Sequence, residues 1–465
     1  MKKILLTLAL AMPVCASAQT VGKGGITAGM LSQIKKAQTT AVTDRALSNA
    51  LAANSIDDLA LTADNAEAAD THFSHTVPSK GITDQKQSGR CWLFTSLNVM
   101  RAAMIKANNL GEFQFSQTYS WFYDQLEKAN LFLQAQIDNA GKPMDDKTVD
   151  WLFANPLSDG GTFCGAQDVI TKYGVVPAEV MPERYSANNT SRMSSLLALK
   201  LREYGLTLRK AVASGEKGKK LEERKTEMLS TIYHILTICL GTPPEKFTYT
   251  LRDASGKAIS TKEYTPKSFY DEYVGKDLVG DYVMLMNDPS RPYHKTYTID
   301  YDRHTYDGQQ WTFLNLPMDE IKPLMVASIK DSVMMYMSCD VGKCFNRKSG
   351  VLSLNNYDYA SLFQTDFPMT KAERIQTHAS ASSHAMTLMG VDLDESGKPL
   401  KWMVENSWGP TAGHKGHLIM TDEWFNEYFF RVVVERKYVP ATLLDELRQK
   451  PTVLPAWDPL FAEDK

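Results

Sequence analysis

Cys91 follows Ser88-Gly89-Arg90 and opens a stretch in which Leu93, Leu97, Met100 and Met104 recur at spacings of four, three and four. That spacing predicts an amphipathic helix that ends near Asn108 to Gly111, with Cys91 at its N-terminus. A cysteine attacks a carbonyl only as thiolate, and the positive end of a helix together with a nearby imidazolium lowers its pKa enough to form one at neutral pH. Six residues before the cysteine stands Gln85. Its side-chain amide can join the Cys91 backbone N–H in donating to the oxyanion of a tetrahedral intermediate, and losing one such donor typically costs about 100 to 1,000-fold in rate.

The base for such a thiol lies far away in sequence, because the two partners meet across a cleft. Of nine histidines, His384 begins an apolar strand in Ser383-His384-Ala385-Met386-Thr387, a setting that His72, His75, His234, His294 and His304 lack. His378 is the rival, while His414 and His417 flank a glycine turn. A third group must accept a hydrogen bond from the imidazole and hold its tautomer. Asn406, in Val404-Glu405-Asn406-Ser407-Trp408-Gly409, fits, and at strand spacing Trp402, Val404 and Asn406 share a face. Singly, a cysteine in an apolar helix is more often inert core and a loop glutamine more often solvated; together at these spacings they point to nucleophilic acyl chemistry.

The run Gln85-Lys86-Gln87-Ser88-Gly89-Arg90-Cys91-Trp92 resembles the nucleophile region of papain-like cysteine peptidases. Further segments narrow the resemblance to the bleomycin hydrolase and aminopeptidase C family: Thr83-Asp84, Leu93-Phe94, Lys172-Tyr173-Gly174-Val175-Val176-Pro177, Cys339-Asp340-Val341-Gly342-Lys343, Lys371-Ala372-Glu373-Arg374 and Met420-Thr421-Asp422-Glu423-Trp424-Phe425. With Leu454-Pro455-Ala456-Trp457-Asp458-Pro459, the matches span residues 83 to 459. The resemblance implies an α+β, two-lobe papain-like fold, a helical lobe beside an antiparallel sheet or barrel lobe, with a large helical insertion and N- and C-terminal arms. It implies Cys91, His384, Asn406 and Gln85 as the catalytic set, with Trp408 covering the Asn406–His384 hydrogen bond from water. Gly160-Gly161 would pair with the substrate strand, although a simple turn fits there too.

In relatives the C-terminal segment lies in the cleft and blocks its non-primed side. A terminal carboxylate there, here on Lys465, would pair with a peptide's free α-amino group and confine cutting to the N-terminus. The expected activity is therefore a cysteine aminopeptidase that acts on peptides with a free N-terminus and needs no cofactor or metal. An endopeptidase, or a non-peptide amide hydrolase or acyl transferase on the same triad, is the alternative. The resemblance also implies a homohexamer and removal of Lys465 by the enzyme itself.

The elements that position these residues follow from pattern. A second helical region spans Tyr119 to Ile137, and a third runs from Ser191 to about Leu240 with a charged run, Glu216 to Lys225, read as a solvated face. Between Phe247 and Phe313 short β-prone runs such as Tyr282 to Met286 imply a mixed insertion. From His384 the pattern reads strand Ala385 to Val391, turn Asp392 to Pro399, strands Lys401 to Glu405 and His417 to Met420, a short helix, and strand Arg431 to Glu435. The resulting division is a signal peptide at 1–18, an N-terminal arm at 19–70 that is poor in aromatics, a helical lobe at 71–190, an insertion at 191–312, a β lobe at 313–440 and a C-terminal arm at 441–465.

The chain has 465 residues, 43% hydrophobic and 23% charged, enough to bury large cores. Lys2 and Lys3, the apolar run Ile4 to Val14 and then Ala16-Ser17-Ala18 form the pattern of a secretory signal cleaved after Ala18. About 11 apolar residues are too few to span a bilayer, which needs roughly 20. Cleavage leaves 49 basic against 54 acidic residues, a charge of about −5 that does not attract nucleic acid. Five cysteines remain, an odd and irregular set, so this is no disulfide framework; Cys339 and Cys344 are near enough to bridge. Export to a periplasmic or extracellular space is expected, a departure from relatives that are largely cytosolic.

Overall fold

A computed structural model describes residues 24–38, 42–63, 65, 70–275 and 277–459. The chain divides into two compact units, residues 1–60 and 61–465. The first contains the helices Ala28–Ala37, Val42–Leu51 and Ile56–Ala60. Thr27 caps the first of these, its hydroxyl accepting from the Met30 N–H at 3.1 Å.

The second unit sets a layer of helices against a large sheet. Its principal helices are α1 (Cys91–Asn108), α2 (Gln117–Asp138), α3 (Phe163–Tyr173), α4 (Ser191–Ala213) and α5 (Lys219–Leu240). The principal strands are β1 (Tyr282–Met286), β2 (Lys295–Ile299), β3 (Thr312–Asn315), β4 (Met335–Cys339), β5 (His384–Leu393), β6 (Pro399–Glu405), β7 (His417–Thr421), β8 (Phe429–Glu435) and β9 (Thr452–Leu454). They belong to a twelve-stranded sheet whose order along the path is β9, β2, β3, β1, β8, β4, β5, β6, β7, followed by the short strands Val351–Leu352 and Phe345–Asn346. The α+β architecture expected from the sequence is what the chain adopts.

The centre of the sheet explains where the chemistry can sit. β5 pairs antiparallel with β4, His384 opposite Cys339, and with β6, Thr387 opposite Glu405. β5 is buried over nine of its ten residues, a near-continuous apolar run rather than an alternating one, because it is covered on both faces.

Two expectations need correction. The spacing of Leu93, Leu97, Met100 and Met104 describes one face, yet the first eleven residues of α1 are all buried, including Asn98 and Arg101. Over these first three turns the helix is packed between other helices and the sheet, so its polar residues are buried and hydrogen-bonded, and only the later turns expose residues such as Lys106: Asn98 Nδ2 donates to Thr83 Oγ1 at 3.0 Å, and Arg101 donates to Gly81 O at 2.9 Å. The stretch from Ser191 to Leu240 is two helices, broken at Ser214 to Gly218, where Gly215 and Gly218 take φ of 91° and 57°. The charged run therefore begins in the turn, where Glu216 ties back to Arg224 at 2.9 Å. The strands β1, β2 and β3, from the segment read as a mixed insertion, extend the main sheet. Among the described residues no helix is long and apolar enough to cross a membrane.

Candidate active site

Cys91 is the first residue of α1 and is 4% exposed. The residue before it, Arg90, makes no side-chain cap, so the positive end of the helix is directed at the cysteine without a competing carboxylate in the first turn. Arg90 is instead fully buried, forked onto Glu183 at 3.1 and 2.8 Å and packed over the Phe94 and Trp121 rings. That bidentate pair holds the turn that delivers Cys91 to the sheet.

A cleft runs between the helical layer and the sheet, and Cys91, Gly160, Gly161 and His384 all line it. His384 sits at the first position of β5, 5% exposed. The loop before it is held in place as the Ser383 N–H donates to Cys339 O at 3.0 Å and the Ser380 hydroxyl to Asp340 at 2.7 Å.

The imidazole Nε2 lies 2.8 Å from Asn406 Oδ1, and the same oxygen accepts the Ser407 backbone N–H at 2.8 Å. A backbone N–H can only donate, so it identifies this atom of the amide as the oxygen; His384 must then carry its proton on Nε2, and Nδ1 is left with a lone pair. Such a ring can take a proton from a thiol. Burial lowers the His384 pKa from 6.5 to about 4, against the raising effect of Asn406. Beside a neutral thiol the ring is therefore neutral, and an imidazolium there calls for an adjacent anion. Trp408 stacks on His384 with ring centroids 4.8 Å apart and 28° between planes, shielding the imidazole–amide bond.

Gln85, 6% exposed, is held in the segment before α1 and across to the residue after Asn406. Its Nε2 donates to Ser88 O at 2.7 Å and its Oε1 accepts the Ser407 hydroxyl at 2.6 Å. His378 is exposed in a turn with φ of 59°, and His414 and His417 close a small turn on each other at 2.8 Å, all outside the cleft. Lys465 and the signal-peptide residues lie outside the described residues. All five described cysteines, including Cys339 and Cys344, are unbridged.

Three cleft-associated residues escape sequence reasoning: buried Asp124 and His304 and partly buried Lys128 form a chain against Trp92 and Gly160. The i,i+4 spacing of Asp124 and Lys128 was the available signal, and His304 carried none.

A helix-borne cysteine facing an imidazole–amide pair across a cleft, with an antiparallel sheet behind the histidine, defines a papain-like cysteine peptidase fold. Residues 25–461 match the Peptidase C1-like family, and the chain belongs to it. It is 42% identical to rat bleomycin hydrolase over 417 residues, which cover 87% of this chain and 91% of that protein. It is 37% identical to aminopeptidase C of Lactobacillus delbrueckii subsp. lactis over 398 residues, 84% of this chain and 88% of that one. The crystal structure of PepW from Lactobacillus rhamnosis superposes with a TM-score of 0.91 at 39% identity, covering 95% of this chain and 99% of that chain. The resemblance read from the sequence is borne out. The expected enzyme class, a cysteine-type aminopeptidase, agrees with the family and with the relatives named aminopeptidases.

Proposed function

We propose that this protein removes N-terminal residues from peptides, with Cys91 as nucleophile, His384 as base, Asn406 as the group that orients the imidazole, and Gln85 with the Cys91 backbone N–H as oxyanion donors. The observation that carries this reading is the His384–Asn406 bond in the wall of a cleft that Cys91 also lines. The thiol proton passes to His384 Nδ1 and the thiolate attacks the carbonyl. The imidazolium then protonates the leaving amine, and water, activated by His384, hydrolyses the thioester. Gly160 and Gly161 offer backbone groups to the substrate strand.

Restriction to the N-terminus is assigned to the tail. Its described part runs parallel to β2 as β9, with Asp458 paired to Arg291 at 3.0 Å and Lys147 lying 4.2 Å over the Trp457 ring. Those anchors support a route by which the terminal carboxylate, on Lys465 or on Asp464 once Lys465 is removed, reaches the cleft and pairs with the substrate's amine. Hydrolysis of aminoacyl-fluorogenic amides, compared with their N-acetylated forms for wild type and Cys91→Ala under reducing conditions, tests this. Turnover of free-amine substrates alone, abolished in the variant, is expected; equal turnover of both forms makes the enzyme an endopeptidase. If Lys465 is self-removed, intact mass will differ between wild type and Cys91→Ala, and identical masses ending at Lys465 defeat that idea.

Export rests on the pattern of residues 1–18. A mature N-terminus at Gln19 in a periplasmic or secreted fraction is expected, and protein that retains Met1 inside the cell overturns it. Light scattering is expected to give a homohexamer, and a monomer mass rejects that assembly.

A further inference from the structure

The space beneath the Gly160-Gly161 turn is filled by a histidine from far along the chain. His304, in the segment between β2 and β3, is 3% exposed and lines the cleft. Its Nδ1 lies 2.5 Å from Asp124 Oδ1 on the inner face of α2, where Asp124 is fully buried. The other Asp124 oxygen meets Lys128 Nζ at 3.0 Å, one helical turn on. That ammonium in turn donates to the carbonyls of Gly160, at 2.5 Å, and Ser158, at 3.1 Å. On its other side the His304 ring stands edge-on to Trp92 at 4.7 Å and 74°, and Trp92 Nε1 donates to Asp159 O at 2.8 Å. The loop from Ser158 to Gly161 is thus gripped from below by the Lys128 ammonium, the imidazole and the indole.

The glycines record the same fit. A Cβ on Gly161 would come within 2.3 Å of His304 Cε1 and 2.6 Å of Trp92, and one on Gly165 within 2.3 Å of the imidazole. Neither position has room for a side chain while the ring is there. Packing alone would be served by an apolar residue of similar volume, whereas buried ions carry a desolvation cost of several kcal/mol each unless they are paired and hydrogen-bonded. Burial raises the Asp124 pKa, but Lys128 and His304 outweigh it and hold the carboxyl below its ordinary range. Burial, followed by Lys128, lowers that of His304. Asp124, Lys128 and His304 thus form one hydrogen-bonded chain that ends on the carbonyl of a residue that lines the cleft.

We propose that His304 is a positioning residue for the peptidase reaction: with Asp124 and Lys128 it braces the Gly160-Gly161 backbone against Trp92, holding the peptide groups that meet the substrate at a set distance from Cys91. The proposal rests on the reading of Cys91 as nucleophile. It gives the long segment between β2 and β3 a role in the site.

The test separates substrate positioning from thiol reactivity. In His304→Ala, kcat/KM on aminoacyl amides is expected to fall about 10- to 100-fold, mainly through KM, as displacements near 1 Å do. Alkylation of Cys91 by iodoacetamide should stay within about two-fold of wild type, because the helix N-terminus and His384 are untouched. Unchanged kcat/KM makes His304 a filler and overturns the proposal, as does a parallel fall in alkylation. His304→Asn, which keeps a donor toward Asp124, should recover part of the loss and serves if His304→Ala does not fold. Gly165→Ala, whose methyl would run into the imidazole alone, should also lose activity by itself. In the Gly165→Ala/His304→Ala pair the methyl enters the vacated space, so the combined loss should be smaller than the product of the single losses. Losses that multiply independently overturn the brace. Turnover that survives in Cys91→Ala would defeat the nucleophile assignment alone, leaving the Gly165–His304 coupling to stand or fall by its own cycle.

Discussion

The Ser407 hydroxyl donates to Gln85 Oε1 at 2.6 Å, and the two residues are 322 positions apart in the chain. The Gln85 N–H returns a bond to Ser407 O at 2.8 Å. A hydroxyl proton on Oε1 turns Nε2 toward Ser88 O, so the amide is clamped at both ends and keeps its second N–H for the oxyanion role proposed for it. Gln85→Ala is expected to lower kcat about 100 to 1,000-fold. Ser407→Ala frees the amide without removing it and should cost about tenfold in kcat, with KM and Cys91 alkylation little changed. Full kcat in Ser407→Ala would show that the clamp does not orient the donor.

His384 is neutral in the fold, with a pKa of about 4 against an ordinary 6.5. The unfolded chain therefore binds more protons between those values, and stability is complete above pH 6.5 and lost as pH falls toward 4. In Cys91→Ala, where no thiolate can hold an imidazolium, urea unfolding should lose about 2 to 3 kcal/mol more between pH 7.5 and 4.5 than in Cys91→Ala/His384→Gln. Equal losses in the two proteins would contradict it. Because burial is the first cause of the shift, adding Trp408→Ala to Cys91→Ala should shrink the loss by letting water reach the ring.

Arg101 on α1 and Glu405 at the end of β6 form an ion pair with side chains 3% and 1% exposed, which the Ser79 hydroxyl joins. The pair ties α1 to the residue before Asn406. Removing one partner leaves a buried charge, and Glu405→Ala is expected to cost about 3 to 5 kcal/mol in chemical denaturation. Arg101→Met/Glu405→Leu should cost less than either single change, and a double variant worse than both would argue that the pair is not a closed unit.

Lys371 offers a titration away from the cleft. Its ammonium is buried against Asn287 Oδ1 at 2.6 Å and the carbonyls of Asn426 and Phe429 at 3.1 and 2.5 Å, and burial lowers its pKa from 10.5 to about 7. The unfolded state binds the extra proton between those values, so this group makes stability rise as pH climbs from 7 toward 10.5. Lys371→Met should flatten that rise in unfolding measurements; an unchanged slope would place the titration elsewhere.

Local pattern was enough for much of this protein. The apolar spacing after Cys91 marks α1 and its end, and the alternation of apolar runs and turns after His384 marks the strands that carry His384 and lead to Asn406. These features rest on interactions within a few residues: helix periodicity, strand burial, and turn residues such as those at 392–399. Motif spacing added Gln85, and the family resemblance added Trp408. The sequence also pointed to a helical stretch at 191–240, but periodicity does not report a chain reversal, and the glycines at 215 and 218 decide it.

What only the tertiary structure decided are polar contacts between distant elements. Asp124 and His304 are 180 residues apart, and Arg101 and Glu405 are 304 apart. Periodicity encodes whether a residue is buried, because burial follows from which face of an element meets the core. Which buried donor meets which acceptor depends on how separate elements pack, and one residue's type does not specify its partner. For that reason His304 carries no local signal in the sequence, and its place is set only by the packing of α2, α3 and the Gly160-Gly161 turn around it.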